Sequence, residues 1–141
     1  MKLLTKEIRK KLPALREQEG KGGDAVVKAK FFTPDSSWTW YVLEGEPVYE
    51  NDQSGVEIDF EFFGIADNGV DRPEYGAFTL NQLKPVRGHF GLPIERDRYF
   101  GTPTVRDLIE SGKLDMAWVL KADQEENDSL NEEASRKVGV A

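Results

Sequence analysis

Two short stretches hold residue types that could do chemistry. Lys30-Phe-Phe-Thr-Pro-Asp-Ser-Ser-Trp-Thr-Trp-Tyr41 crowds Trp38, Trp40 and Tyr41 together. Rings at that density could line a ligand pocket or stack on nucleic-acid bases. Glu95-Arg-Asp-Arg98 sets opposite charges side by side. A carboxylate held by an arginine could serve there as acid, base or ligand clamp. In a strand, however, Glu95 and Asp97 would share one face and Arg96 the other, so these neighbours could not pair directly. Trp38, Trp40, Tyr41, Glu95, Arg96 and Asp97 therefore form the candidate ligand-binding set. A sheet core and a structural ion network are the simpler uses of the same residues.

A second set is acidic. Glu57, Asp59 and Glu61 alternate along one apparent strand, about 6.6 Å apart, and could share a hard cation. The sequence names no further oxygen ligand, so a solvated outer face is the simpler reading. Glu44 and Glu46 extend the set into a candidate partner-binding acidic face.

Other chemistries have less support. The chain has no cysteine, which removes disulfides, thiolate nucleophiles and cysteine metal sites. His89 is the only histidine, so no multi-histidine metal site can form. Gly20-Lys-Gly-Gly23 has the glycines of a phosphate loop but the wrong context, following a helix and preceding a strand. Lys6, Arg9, Lys10 and Arg16 could touch phosphates from the first helix, but no aromatics are interleaved with them. No catalytic residue, cofactor or metal is assigned.

The elements that must position these residues follow from periodicity. Leu4, Ile8, Leu12 and Leu15 recur at helical spacing, with Thr5 as cap and a kink or restart at Pro13. Ala25–Phe32 and Ser37–Glu44 read as a hairpin around Pro34-Asp-Ser-Ser37. Trp38, Trp40 and Val42 fall on one face of the second strand, Thr39, Tyr41 and Leu43 on the other. That two-sided apolarity fits a central strand with both faces covered. Residues 46–55 read as a polar loop. Val56, Ile58, Phe60 and Phe62 then alternate with the acids, the pattern of a sheet with one wet face. Asn68-Gly69 marks a turn before a strand at 75–79 and a helical turn at 80–84. Residues 94–100 read as extended. Thr102-Pro103 starts a helix that Gly112 ends. Leu114, Met116, Trp118 and Leu120 alternate as a last strand or packed arm. From Ala122 the chain is polar and acidic, and its composition predicts disorder.

The predicted architecture is α+β: a mainly antiparallel sheet of four or five strands with the N-terminal helix packed on one face. Residues 1–121 form one domain and 122–141 a disordered acidic tail. The net charge of −7 is segregated, with +5 on residues 1–30, −10 on 31–80, +2 on 81–121 and −4 on 122–141. The start turns polar too early for a signal peptide, and no apolar run approaches the roughly 20 residues of a membrane helix. A soluble cytoplasmic protein is expected.

Met1-Lys-Leu-Leu-Thr-Lys-Glu-Ile-Arg-Lys-Lys-Leu-Pro13, the Lys30–Tyr41 stretch, Tyr75-Gly-Ala-Phe-Thr-Leu-Asn-Gln-Leu83 and Gly91-Leu-Pro-Ile-Glu-Arg-Asp97 resemble a small prokaryotic family, the domain of unknown function family 2958. The similarity covers about residues 1–110. It implies a bacterial or phage protein, often borne on a mobile element. It implies no activity, so no catalytic residue carries over. Trp38, Trp40, Tyr41, Glu95, Arg96 and Asp97 are the matched motif positions, and the segment beyond Lys113 departs from the pattern.

The leading functional expectation is a non-enzymatic accessory protein of a mobile element that binds a protein partner, one with a basic surface suiting the acidic middle. In a sharper form, its acids imitate nucleic acid, which requires them to lie on one exposed surface. The alternatives are a small-ligand or enzymatic domain using Glu95-Arg-Asp97 beside Trp38 and Trp40, and nucleic-acid binding through the basic first helix.

Overall fold

The computed structural model describes residues 1–139, with side chains through Arg136. The N-terminal helix α1 (Lys6–Lys11) is capped by the Thr5 hydroxyl, which accepts from the Ile8 amide. It ends before Pro13 and does not restart. Leu12 is extended, the conformation a following proline imposes. Four strands follow: β1 (Ala29–Phe32), β2 (Thr39–Tyr49), β3 (Glu57–Asp67) and β4 (Glu74–Thr79). Helix α2 (Leu80–Leu83), strand β5 (Glu95–Arg96), helix α3 (Val105–Glu110) and helix α4 (Ala117–Gly139) complete the described chain.

The strands form one five-stranded sheet in the order β4-β3-β2-β1-β5, and every paired neighbour is antiparallel. The α+β prediction and its strand number therefore hold. β2 is central and buried on both faces, as its two-sided apolarity requires. One face carries Ala29, Phe31, Trp40, Val42, Phe60, Phe62 and Phe78 beneath α1 and α2, with Leu3, Leu4, Ile8 and Leu83 closing over them. The other carries Tyr41, Leu43 and Ile65 beneath α3 and the start of α4, closed by Val105, Leu108, Met116 and Val119.

Two bulges break the simple alternation. Val42 pairs with Gly64 but Glu44 pairs with Phe63, so Leu43 is an extra residue and Glu44 turns to the α3 face. Val48 pairs with Asp59 but Tyr49 pairs with Glu57, so Ile58 is an extra residue and Glu57 turns to the α1 face.

β2 continues through residues read as a polar loop, ending at Tyr49. β1 is shorter than predicted, because Val26 bridges Thr104 and leaves the ladder. α3 starts at Val105 with Thr104 as cap in a capping box with Asp107, two residues later than Thr102-Pro103 implied. Gly112 ends it at φ +79°, a left-handed conformation that glycine adopts without strain.

Where a last strand and then a disordered tail were predicted, the structure has coil and then α4. Leu114 and Met116 are buried before the helix, and Val119 is buried within it. Beyond Asp123 the described side chains are exposed, and Glu125, Glu126, Glu132 and Glu133, good helix formers, carry the helix with the help of the Gln124–Asp128 and Glu132–Arg136 pairs. Residues 140–141 of the predicted tail lie outside the described residues.

Candidate functional site

The two sequence motifs lie on adjacent strands, but their side chains divide between the faces. Phe31 stands opposite Trp40 on one side and Arg96 on the other, placing all three on the α1 face. Arg96 donates to the Lys2 carbonyl there. Tyr41 stands opposite Lys30 on the α3 face, and the Lys30 ammonium approaches Asp97 at 3.8 Å. Glu95 pairs with Phe32 on that face. One strand thus separates each half-motif from the other, and Trp40 and Arg96 face away from Tyr41 and Asp97. This geometry does not assemble the predicted ligand clamp. Burial, with a smaller push from the Asp67 charge, raises the Tyr41 phenol, so it stays neutral at physiological pH.

The tryptophans differ from each other. Trp40 is buried at 7% exposure, while Trp38 stands 41% exposed just before β2. Their rings stack, with centroids 5.4 Å apart. Of the pair expected in the interior, only Trp40 belongs to the core.

The five candidate acids do not form one exposed surface either. Glu44 is 3% exposed and accepts from the Arg16 and Gln18 amides at 2.9 and 2.6 Å. Glu46 accepts from the Leu15 amide at 3.0 Å. Glu57 pairs with Arg9 on the α1 face, where the Arg9 guanidinium also lies over the Phe60 ring. Asp59 accepts from the Asn81 amide at the start of α2. Burial opposes its ionisation, but hydrogen bonds from Asn81 and Phe60 outweigh it and lower the carboxyl. Only Glu61 has no hydrogen-bond or ion-pair partner among the described residues. The condition for imitating nucleic acid is not met. Nor do the basic residues form one patch: Arg9 is engaged by Glu57, and Arg16 lies across the sheet from α1, beside Glu44.

A surface that the sequence did not disclose lies at one end of the sheet. The β1–β2 turn is closed by Thr33, whose hydroxyl accepts from the Trp38 amide. Asp35 at its tip reaches a distant loop and accepts from the Phe90 and Leu92 amides at 2.7 and 3.1 Å, while its carbonyl accepts from the His89 amide. Gly88 makes room, since a Cβ there would lie 1.6 Å from Asp35 Oδ1. Ser37 donates to the Asn68 carbonyl and so ties in the β3–β4 turn. The three segments present Trp38, Val70, Phe90 and Leu92 to solvent, with Phe90 87% exposed. The Asp35 anchor joins residues 55 and 57 positions apart, which no local pattern announces. The Pro34-Asp-Ser-Ser turn chemistry and the Gly91-Leu-Pro motif were the available signals.

This clamp titrates. Burial pushes the Asp35 carboxyl up, but the Leu92 and Phe90 amides outweigh it, and the net direction is down. A depressed folded value contributes stability above the ordinary carboxylate pKa of about 3.9, lost as pH falls through the folded value. Melting temperature is therefore expected to be flat near neutrality and to fall below about pH 4. Asp35→Asn should remove part of that acid slope, and Asp59→Asn a further part. Gly88→Ala is expected to destabilise by about 1–3 kcal/mol through overpacking against Asp35, measured by urea unfolding.

On the α3 face, a groove of about 650 Å³ lies between the β2–β3–β4 half of the sheet, the 15–22 loop and α4. Leu43, Phe63, Tyr75 and Trp118 line it, and Glu61 projects from its floor. Phe63 and Tyr75 are parallel, with centroids 6.1 Å apart, and Trp118 meets Tyr75 edge-on at 6.0 Å. Burial, aided by the Asp123 charge, raises the Tyr75 phenol.

Fold and surfaces together define an α+β sheet protein, helix-covered on both faces, with an apolar loop end anchored by hydrogen bonds and an acidic aromatic groove. The chain belongs to the family described as "Protein of unknown function (DUF2958)", whose model matches residues 3–108. The match takes in the whole sheet and stops before α4. No curated protein and no solved structure matches the chain. Among the described residues no helix is long and apolar enough to cross a membrane.

Proposed function

We propose that this protein is a non-catalytic binding module, a cytoplasmic accessory protein of a mobile genetic element, that docks a protein partner through its apolar loop end. The observation that carries this reading is Phe90, 87% exposed on a loop clamped by Asp35. An exposed aromatic costs solvation, and a loop held rigid loses little further entropy on binding. Trp38 and Leu92 extend the patch, and aromatic anchors of this type dominate interface energetics. The family resemblance supports the mobile-element setting. The nearby charges mix Asp67 and Asp71 with Arg72 and Arg87, so the apolar centre, more than net charge, sets affinity.

Capture from the host with three baits tests this. The wild-type chain should retain a partner through high-salt washing. The Trp38→Ala/Phe90→Ala chain should bind that partner about 30-fold or more weakly, at the ~2 kcal/mol or more of an interface hot spot, while still unfolding cooperatively and losing only the stability of the Trp38–Trp40 stack. Glu46→Gln/Glu61→Gln should bind as wild type. Undiminished binding by the aromatic double variant defeats the reading. Loss confined to the acidic double variant would favour an acidic binding face instead.

A further inference from the structure

The groove on the α3 face has a chemistry that the loop end does not use. Its walls are aromatic and aliphatic, and its lining holds five carboxylates, Glu19, Glu44, Glu61, Asp123 and Glu126, against one cation, Arg16. Glu44 is satisfied by backbone amides, and Asp123 by the Gly23 amide and Arg106. Glu19, Glu61 and Glu126 have no side-chain partner among the described residues. Glu61 also stands directly opposite Glu46 across β2 and β3. Like charges at that position repel, so the sheet tolerates a local cost there. Arg16 at the lip has φ +75°, a conformation uncommon for a side-chain-bearing residue and fixed by the Glu44 bond to its amide.

We propose that this groove binds a small aliphatic organic cation: a protonated amine carried on a hydrocarbon chain. The volume lies within the roughly 300–1,000 Å³ of small-molecule sites. The Phe63–Tyr75 stack and the Trp118 edge enclose an alkyl chain, and ring faces attract an adjacent ammonium. Glu61 and Glu126 supply the counter-charge. A neutral apolar ligand would strip water from those carboxylates without replacing it. A bare metal ion is a poor fit, since no three acidic side chains among the described residues converge to hold one. Arg16 is the internal competitor, a tethered cation at the mouth of the same groove.

Calorimetry on the full chain near physiological salt tests the site, with hexylammonium as probe and hexan-1-ol as its uncharged match. Saturable one-to-one binding of hexylammonium is expected, at least tenfold tighter than the alcohol. Glu61→Gln and Trp118→Leu should each weaken it at least threefold, and Arg16→Ala should tighten it. Equal binding of amine and alcohol overturns the proposal. So does amine binding indifferent to Trp118→Leu, which would be diffuse attraction to an acidic protein. The loop-end variant Trp38→Ala/Phe90→Ala should leave the amine titration unchanged, so the two binding readings fail or stand separately.

Discussion

Phe62→Ala is expected to remove about 3–5 kcal/mol of folding stability, the usual cost of deleting a buried phenyl ring. Phe62 is fully buried at the middle of the α1 face. Its ring lies 5.7 Å from Phe31, 5.1 Å from Phe60 and 5.5 Å from Phe78, so it joins β1, β3 and β4 in one aromatic layer. Truncation leaves a cavity that rigid neighbours on three strands fill poorly. Urea unfolding should show a lower midpoint at unchanged slope. Phe90→Ala, by contrast, should stay within about 0.5 kcal/mol of wild type, because that ring packs against water. A loss below 1 kcal/mol at Phe62 would mean that the aromatic layer is not the core described.

Glu44→Ala is expected to cost about 3 kcal/mol, a large effect for a residue that composition assigns to the surface. Its carboxylate is the acceptor for two backbone amides, Arg16 and Gln18, and hydrogen bonds to a charged group contribute about 1.5–3 kcal/mol each. Gln18 in turn joins Val26 and the Leu43 carbonyl through its side-chain amide, and Glu46 holds the Leu15 amide, so Glu44 is the acceptor for two of the loop's several ties. Amide hydrogen exchange at Arg16 and Gln18 should accelerate in the variant. Glu44→Gln should fall between, since a carboxamide offers one oxygen where the carboxylate offers two. Exchange unchanged from wild type would show that the loop is held by something other than Glu44.

How far these features could be read from the residues depended on whether their cause was local. The strand at 74–79 and the helical turn at 80–83 lie within a residue of the 75–79 and 80–84 that the Asn68-Gly69 turn signal and the residues after it indicated. Thr79 and Gln82 form a reciprocal capping box there. The family membership was likewise legible in short motifs. The acidic face was not, because a single extra residue reverses a strand's outward side. The bulge at Leu43 carries Glu44 inward to the groove face, and the bulge at Ile58 carries Glu57 to Arg9. The continuation of β2 to Tyr49 was hidden by Glu46 and Pro47, residues that disfavour strands. The 15–18 loop compensates by donating amides to Glu44 and Glu46.

The C-terminal segment presented two periods at once. Leu114, Met116, Trp118 and Leu120 alternate, yet Met116, Val119, Leu120 and Asp123 also follow helical spacing. Burial of Met116 and Val119 against the α3 face, with Asp123 on the Gly23 amide, selects the helix. The loop end was the least legible feature, because Asp35 and Phe90 meet only once the sheet has folded.

The claim that a partner docks at that loop end is tested most directly by a photoreactive residue placed within it. A chain carrying p-benzoylphenylalanine in place of Phe90 should, on irradiation in host cells, form a single discrete adduct with one protein. The same residue in place of Val56, exposed at the other end of β3, should form none above background. An adduct at position 56 but not at position 90, or none at either, would contradict the account.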